Sequence, residues 1–206
     1  MSEDINVTMT ELESINVTLG AAETVAVSFV GGMPSSSIGR RMTILDLKAA
    51  DNDIIHAAIP GTGAAQEITT AITNPDEARN ITITTSNLAA SSGTVTITGL
   101  VRGVSTTEDL VISLGATVQG NKPFDTVTKI NIPATLEIGD NLTVGFGDKI
   151  GLTNAISAAS KVYKIKINAI DVTSTYVPAL VNATYGTIDF SNIGAYQDIT
   201  ILYLGD

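Results

Sequence analysis

The chain of 206 residues contains no cysteine and no tryptophan, and His56 is its one histidine. The absence of cysteine excludes a disulfide framework, a thiolate zinc site and a cysteine nucleophile. A single histidine excludes metal centres built from several histidines. Basic residues are also few, 11 against 21 acidic ones, for a formal net charge of −10. We expect no nucleic-acid partner, because so acidic a chain has few Lys and Arg to neutralise phosphates.

Long apolar runs are missing as well. No run reaches the ~18 apolar residues that a membrane-spanning helix needs. The first basic residue is Arg40, so the basic stretch that opens a secretory signal peptide is not found. We therefore expect no membrane partner and synthesis in a cytoplasm, where a protein without disulfides is at no disadvantage.

Regular alternation of apolar and polar residues is the strongest pattern that the sequence does contain, and it is typical of half-buried strands. Val95 and Ile97, for example, alternate with threonines. The same pattern recurs in residues 5–9, 15–19, 25–29, 81–84, 110–114, 163–168 and 199–203. About ten short strands separated by Gly, Asn, Asp and Pro predict an all-β fold, as a sandwich, a jelly roll or a barrel, and we favour a sandwich or jelly-roll-like domain. Helical signals are weak, and residues 48–59 are expected to form a turn or two of helix at most.

A boundary is predicted at residues 31–37, where small and turn-forming residues dominate. Residues 1–32 are strand-forming and carry acidic side chains but no basic one. The acidic residues are Glu3, Asp4, Glu11, Glu13 and Glu23. This segment is either an arm that adds strands to a neighbour or the first strands of the same sandwich. We therefore divide the chain into the N-terminal segment, residues 1–32, and a β-sandwich domain, residues 33–206.

Two groups of residues are candidates for contact with a partner protein or another subunit. In the N-terminal segment they are Ile5, Val7, Glu11, Glu13, Ile15 and Val17. The second group is Lys164 and Lys166, which share one face of one predicted strand. On an acidic chain these lysines would attract the acidic segment of a neighbour. The other interpretation is that the lysines protect an edge strand from aggregation.

The five tyrosines all lie after residue 162. Alternation places Tyr163 and Tyr203 among the core-facing positions. Tyr176, Tyr185 and Tyr196 are candidates for a subunit interface or for stacking on a sugar ring.

Candidate catalytic and metal-binding residues are sparse. Residues 46–56 hold three aspartates and the single histidine, but they lack the Gly and the acid that an EF-hand loop requires, so we expect a solvated turn. Asp140 and Asp148 flank a glycine-rich segment and are expected to be turn aspartates rather than a catalytic pair. No nucleophile elbow accompanies His56. We expect neither a cofactor nor an enzymatic activity.

Four segments in the middle of the chain carry a resemblance to a known group. They are TNPDEARNITIT (residues 73–84), GTVTITG (93–99), KPFDTVTKINIP (122–133) and GDNLTVGFGDKIGL (139–152). The residues of these segments and their order along the chain resemble those of virion structural proteins of tailed bacteriophages and archaeal tailed viruses. The resemblance covers about residues 70–152, and more loosely the C-terminal strands. The group brings no catalytic residues with it.

The resemblance implies a head-decoration or fibre-like protein. We therefore expect a structural protein that decorates or reinforces the outer capsid surface, made in the host cytoplasm. Its expected partners are the major capsid protein and further copies of itself, for example in a trimer. One alternative is a receptor- or glycan-binding module of a fibre or tail. Another is a self-assembling tail-tube or surface-lattice protein.

Overall fold

The computed structural model of this protein describes residues 38–86, 89–191 and 197–206. All of them belong to one compact unit, Ser36–Asp206. The predictions for the N-terminal segment lie outside the described residues, and so does the predicted boundary at residues 31–37. The contact residues affected are Ile5, Val7, Glu11, Glu13, Ile15 and Val17.

The regular secondary structure of the described residues is almost all strand, with only a 3₁₀ turn and one short helix besides. This confirms the predicted all-β sandwich, while the jelly-roll variant stays a prediction. The strands are β1 Ile38–Leu47, β2 Asp51–Pro60, β3 Gln66–Ile68, β4 Arg79–Thr85, β5 Thr94–Val101, β6 Val104–Val111, β7 Thr117–Phe124, β8 Thr126–Ile132, β9 Asn141–Gly151, β10 Val162–Ile167, β11 Ile170–Asp171, β12 Val181–Asn182, β13 Thr187–Asp189 and β14 Gln197–Gly205. A 3₁₀ turn, Ala159–Lys161, and a four-residue helix, α1 Thr173–Tyr176, interrupt them. Four of these strands have only two or three residues. The ten strands expected for the whole chain included three in residues 5–29, which lie outside the described residues.

These strands form three antiparallel sheets. Sheet I has the order β1-β14-β10-β11, and sheet III has the order β3-β8-β5-β6. Sheet II has the order β12-β13-β9-β4-β7, with β2 also paired to β9. The long strand β9 thus pairs with β4 along one side and with β2 and then β13 along the other.

Two apolar cores lie among the sheets. The first core joins sheets II and III and includes Ile81 and Ile97. The second core joins sheet I to the β13 end of sheet II and includes Ile188 and Ile201. Strand β9 serves both, because Val144 belongs to the first core and Ile150, six residues later, to the second.

Strand β2 corrects the expectation of a short helix at residues 48–59. The segment Asp51–Pro60 is extended and pairs with β9 through two register shifts. Ile55 and Ile59 are buried but Ala57 between them is exposed, because the irregular pairing with β9 breaks the period of two. A spacing of four between apolar residues also suits a helix, which is why the sequence pattern was misleading.

Candidate functional site

The outer face of sheet I carries the two lysines that the sequence singled out. Lys164 and Lys166 lie on β10 and are both half-buried, whereas Ile165 between them is fully buried in the second core. On the neighbouring strand β14, Lys164 lies opposite Leu202, and Lys166 lies opposite Thr200. The structure therefore brings both ammonium groups to one surface of one sheet.

An aspartate on the next strand partly offsets this positive charge. Lys164 Nζ lies 3.7 Å from Asp171 Oδ2 on β11. Hydrogen bonds from the Thr173 hydroxyl and backbone N–H lower the pKa of Asp171, and the charges of Lys164 and Lys166 lower it further. Asp171 therefore remains ionised at neutral pH. The exposed ion pair itself contributes little to stability.

The position of β10 in the sheet bears on the edge-protection interpretation. β10 lies between β14 and β11, but β11 pairs with only Lys166 and Ile167. The first part of β10, including Lys164, thus has no described strand on that side. Lys164 is placed where a lysine discourages edge-to-edge pairing and is also accessible to an acidic partner.

The opposite edge of sheet I adds two basic residues that the sequence patterns did not single out. Arg40 and Arg41 lie on β1, both exposed, and Arg41 is opposite Leu202. Arg41, Leu202 and Lys164 thus form a row across the outer face of three strands. In the part of the chain that the structure describes, the ion pairs include neither Arg40 nor Arg41. Their pairing to β14 is a long-range feature, so the sequence alone gave no signal for the row.

The structure separates the three candidate tyrosines. Tyr176, in α1, is 2% exposed, and its ring centroid lies 5.1 Å from that of Phe190. The prediction of a glycan or interface contact is wrong for Tyr176, because the helix turns this side chain into the second core. Tyr185 is half-buried in the loop before β13. Tyr196 lies outside the described residues.

Arg102 holds the Tyr185 loop in place. It lies in the two-residue turn between β5 and β6, where both Arg102 (φ 52°) and Gly103 (φ 74°) are left-handed. Its Nη2 donates to the carbonyls of Tyr185 at 3.0 Å and Gly186 at 3.2 Å, and its Nε donates to that of Leu152 at 2.9 Å. Burial lowers the pKa of Arg102, with the charge of Asp125 opposing the effect.

A groove of about 350 Å³ runs beside this arginine. Its charged lining consists of Glu77, Arg102 and Asp125, together with the polar Thr153. Burial, followed by the charge of Asp76, raises the pKa of Glu77. The Arg102 guanidinium already donates to three backbone carbonyls. Its role is therefore to hold neighbouring loops together, not to bind a ligand in the groove.

Asp140 is a buried carboxylate immediately before β9 and is 1% exposed. It accepts hydrogen bonds from Ser86 Oγ at 2.8 Å, Ser91 Oγ at 2.6 Å and Ala89 N at 3.1 Å. It thereby fastens the loop before β5 to sheet II. Asp148 lies eight residues farther along the same extended chain, about 26 Å away, so the two carboxylates do not form a pair.

Arg79 is the corresponding buried cation, at the start of β4, and is fully buried. Its Nη2 donates to Lys48 O at 2.8 Å and its Nη1 to Gly147 O at 3.3 Å. Nε lies 3.0 Å from Asp76 Oδ1 without the alignment of a hydrogen bond, and Nη2 donates a long hydrogen bond to Asp76 Oδ2 at 3.5 Å. Its Cζ lies 4.4 Å from the ring centroid of Phe146, a cation–π contact. Burial lowers the pKa of Arg79, and the charges of Asp76, then Asp148 and Glu77, oppose that shift.

Asn80, the next residue, is also fully buried and joins three strands. Its Nδ2 donates to Gly120 O on β7 at 3.2 Å, and its Oδ1 accepts from Lys149 N on β9 at 2.9 Å. The side chain thus bridges a register shift between β4 and its neighbours. Arg79, Asn80 and Asp140 are thus buried polar side chains whose hydrogen bonds link the strands and adjoining loops of sheet II. We call them the polar fasteners.

The aspartate-rich stretch lies at the exposed beginning of β2. A side-chain hydrogen bond with Asp51, followed by the negative charge of Asp51, raises the pKa of the exposed Asp53. His56 Nδ1 lies 2.7 Å from Ala57 O. Within residues 38–86, 89–191 and 197–206, no three Asp, Glu or His side chains converge as metal ligands would.

Comparisons with family models, with curated proteins and with solved structures gave no match for this chain. Among the helices of the described residues, none is long and apolar enough to cross a membrane.

Proposed function

We propose that this chain is a structural protein of a virus particle that decorates or reinforces the outer capsid surface and has no catalytic role. The observation that carries the proposal is the outer face of sheet I. There the exposed Arg41 and the half-buried Lys164 and Lys166 form a basic surface on a chain whose net charge is −10. An outward basic surface on an acidic protein suits a contact with an acidic partner.

The motifs that resemble virion proteins lie in sheets II and III, apart from the basic surface of sheet I. The four segments build β4, β5, β7, β8 and β9, which form most of sheets II and III. Their glycines permit close backbone approach, since a Cβ on Gly145 would meet Asp51 O at 1.9 Å and one on Gly151 would meet Pro123 Cβ at 2.4 Å. The resemblance therefore falls on a scaffold, and the basic surface lies on the other sheet.

The polar fasteners support a load-resisting scaffold. A hydrogen bond to a charged group contributes about 1.5–3 kcal/mol, and Arg79 and Asp140 each make several while buried. These bonds join β4 to β9 and the loop before β5 to β9. A reinforcing protein needs such cross-links between strands, since it must resist deformation without disulfides.

The partner that we propose is an acidic surface of the major capsid protein, contacted by Lys164 and Lys166 on the particle exterior. Such a contact is between exposed charges and is therefore screened by salt. We propose synthesis in the host cytoplasm followed by addition to the assembled shell.

The test is binding of the purified full chain to particles that lack it. We expect K164E/K166E to bind at least about tenfold more weakly than wild type, because attraction becomes repulsion. The matched control is K122E/K129E, which makes the same charge change on β7 and β8, outside sheet I. Equal binding by wild type and K164E/K166E, or equal losses in both variants, would contradict the proposed contact.

A further inference from the structure

A lysine and an asparagine on different strands of sheet II meet over the strand that lies between them. Lys149 lies on β9 and Asn121 on β7, and β4 runs between these two strands. Lys149 Nζ donates to Asn121 Oδ1 at 2.7 Å and to Gly120 O at 3.1 Å. Both side chains are half-buried. An amine and a carboxamide are therefore held in direct contact although they are 28 residues apart in the chain.

The surrounding strands hold this pair in place. The fully buried Asn80 on β4 accepts from Lys149 N at 2.9 Å and donates to Gly120 O at 3.2 Å. From β6, Glu108 Oε1 accepts from Asn121 N at 2.7 Å. Neither β7 nor β9 can move away from the contact without breaking one of these hydrogen bonds. The two groups are thus positioned before any reaction between them.

The contact distance approaches that of a nucleophilic attack. Because a carbonyl carbon lies ~1.2 Å from its oxygen, Asn121 Cγ is within about 3.9 Å of Lys149 Nζ. Reacting atoms at ~3–3.5 Å form a near-attack conformer, and such positioning is equivalent to an effective concentration of ~10⁵–10⁸ M. A small rotation of the Asn121 amide group brings its carbon into that range.

A carboxylate and an outlet to solvent lie beside the lysine. Asp189 on β13 is directly opposite Lys149 in the antiparallel pair of strands, so the two side chains share one face of the sheet. Both residues line a groove of about 350 Å³. Asp189 is available there to take the proton that Lys149 must lose before its nitrogen becomes a nucleophile. The groove gives displaced ammonia a path to water.

We propose that Lys149 and Asn121 join in an isopeptide bond, which links β9 to β7 across β4. The bond forms between Lys149 Nζ and Asn121 Cγ, and the bond from Cγ to Nδ2 breaks. Of the two protons that Nζ loses, one passes through Asp189 to solvent and the other leaves with Nδ2, which departs as ammonia. The step consumes no oxidant and no cofactor. It is independent of capsid binding, and it cross-links a chain that has no cysteine for a disulfide.

Mass spectrometry of the purified, denatured full chain tests whether the bond forms. The wild-type mass should lie about 17 Da below the sequence mass, which is the loss of one ammonia when the amine displaces it. K149R keeps the positive charge but has no nucleophilic amine, so it should show its full sequence mass, as should N121A. K129R is the matched control and should show the same loss as wild type. A wild-type chain at its full sequence mass, or the same loss in K149R, would overturn the proposal.

Peptide mapping locates the bond and distinguishes it from any other loss of ammonia. A tryptic digest of wild type should contain one branched peptide that joins Asn121 to Lys149, and a digest of K149R should contain none. D189N should leave most molecules unlinked where wild type is linked, because losing a general base slows a reaction ~10²–10⁴-fold. Linear peptides alone from wild type would overturn the bond. Complete linkage in D189N would overturn the role of Asp189.

Discussion

The two cores of this protein are stabilised in different ways. Around the first core, sheet II is cross-braced by fully or almost fully buried polar side chains, namely Arg79, Asn80 and Asp140. The second core is built from aliphatic and aromatic side chains, with the tyrosines Tyr176 and Tyr203 buried among them. The comparison shows that sheet II is held together by buried polar side chains that hydrogen-bond across its strands. The region with a simpler core presents the basic surface of sheet I.

The largest effect is expected from removing the buried guanidinium in sheet II. R79M should lower the free energy of unfolding by about 3–5 kcal/mol, because the carbonyls of Lys48 and Gly147 and the carboxylate of Asp76 lose their partner. Urea unfolding followed by circular dichroism measures it. K129M, at a half-buried surface lysine paired with Glu67, is the control and should change stability by less than about 1 kcal/mol. A loss for R79M as small as that of K129M would show that the fastener is dispensable.

The second effect is expected at the buried carboxylate. D140A should cost about 2–4 kcal/mol, because the hydroxyls of Ser86 and Ser91 and the N–H of Ala89 lose their acceptor. Hydrogen exchange should rise first in the loop before β5, which this side chain holds. D148A, at a half-buried position on β9, is the matched control. If both variants lost equal stability, Asp140 would not be the specific fastener.

A smaller effect is expected in the second core, where the polar atom is secondary to the ring. Tyr203 is 1% exposed, and its hydroxyl accepts from Asn154 N at 3.2 Å. Y203F keeps the ring and should cost about 0.5–1.5 kcal/mol, whereas Y203A should cost about 3–5 kcal/mol. Thermal unfolding of the two variants separates the contribution of the ring from that of the hydroxyl. Equal losses of stability in Y203F and Y203A would show that the second core also depends mainly on a polar group, which would contradict the contrast between the two cores.

The smallest effect concerns pH at the surface of sheet I. The folded pKa of Asp171 lies below its ordinary value of 3.8 because of the Thr173 hydrogen bonds and the two lysines. The stabilising contribution is therefore complete above pH 3.8 and is lost as the pH falls through the folded pKa. T173V should move the pKa of Asp171 upward in an NMR titration, with K166Q giving a smaller upward shift. No shift in T173V would mean that the hydrogen bonds are not the main cause.

Alternation predicted most strands well, since patterns such as Thr94–Thr98 follow directly from one face meeting a core. It failed for β2, whose irregular pairing leaves Ala57 exposed between the buried Ile55 and Ile59. The separate expectation of an interface or sugar contact failed for Tyr176, because a single helical turn directs that side chain inward. The burial of Arg79 was beyond sequence reasoning, since its carbonyl partners lie 31 and 68 residues away.

Cryo-electron microscopy of purified particles tests the central claim most directly. We predict density for the β-sandwich on the outer head surface, with Lys164 and Lys166 of sheet I facing the major capsid protein. Density in a tail or fibre with Tyr185 exposed at its tip, or no density on any particle, would contradict the decoration role.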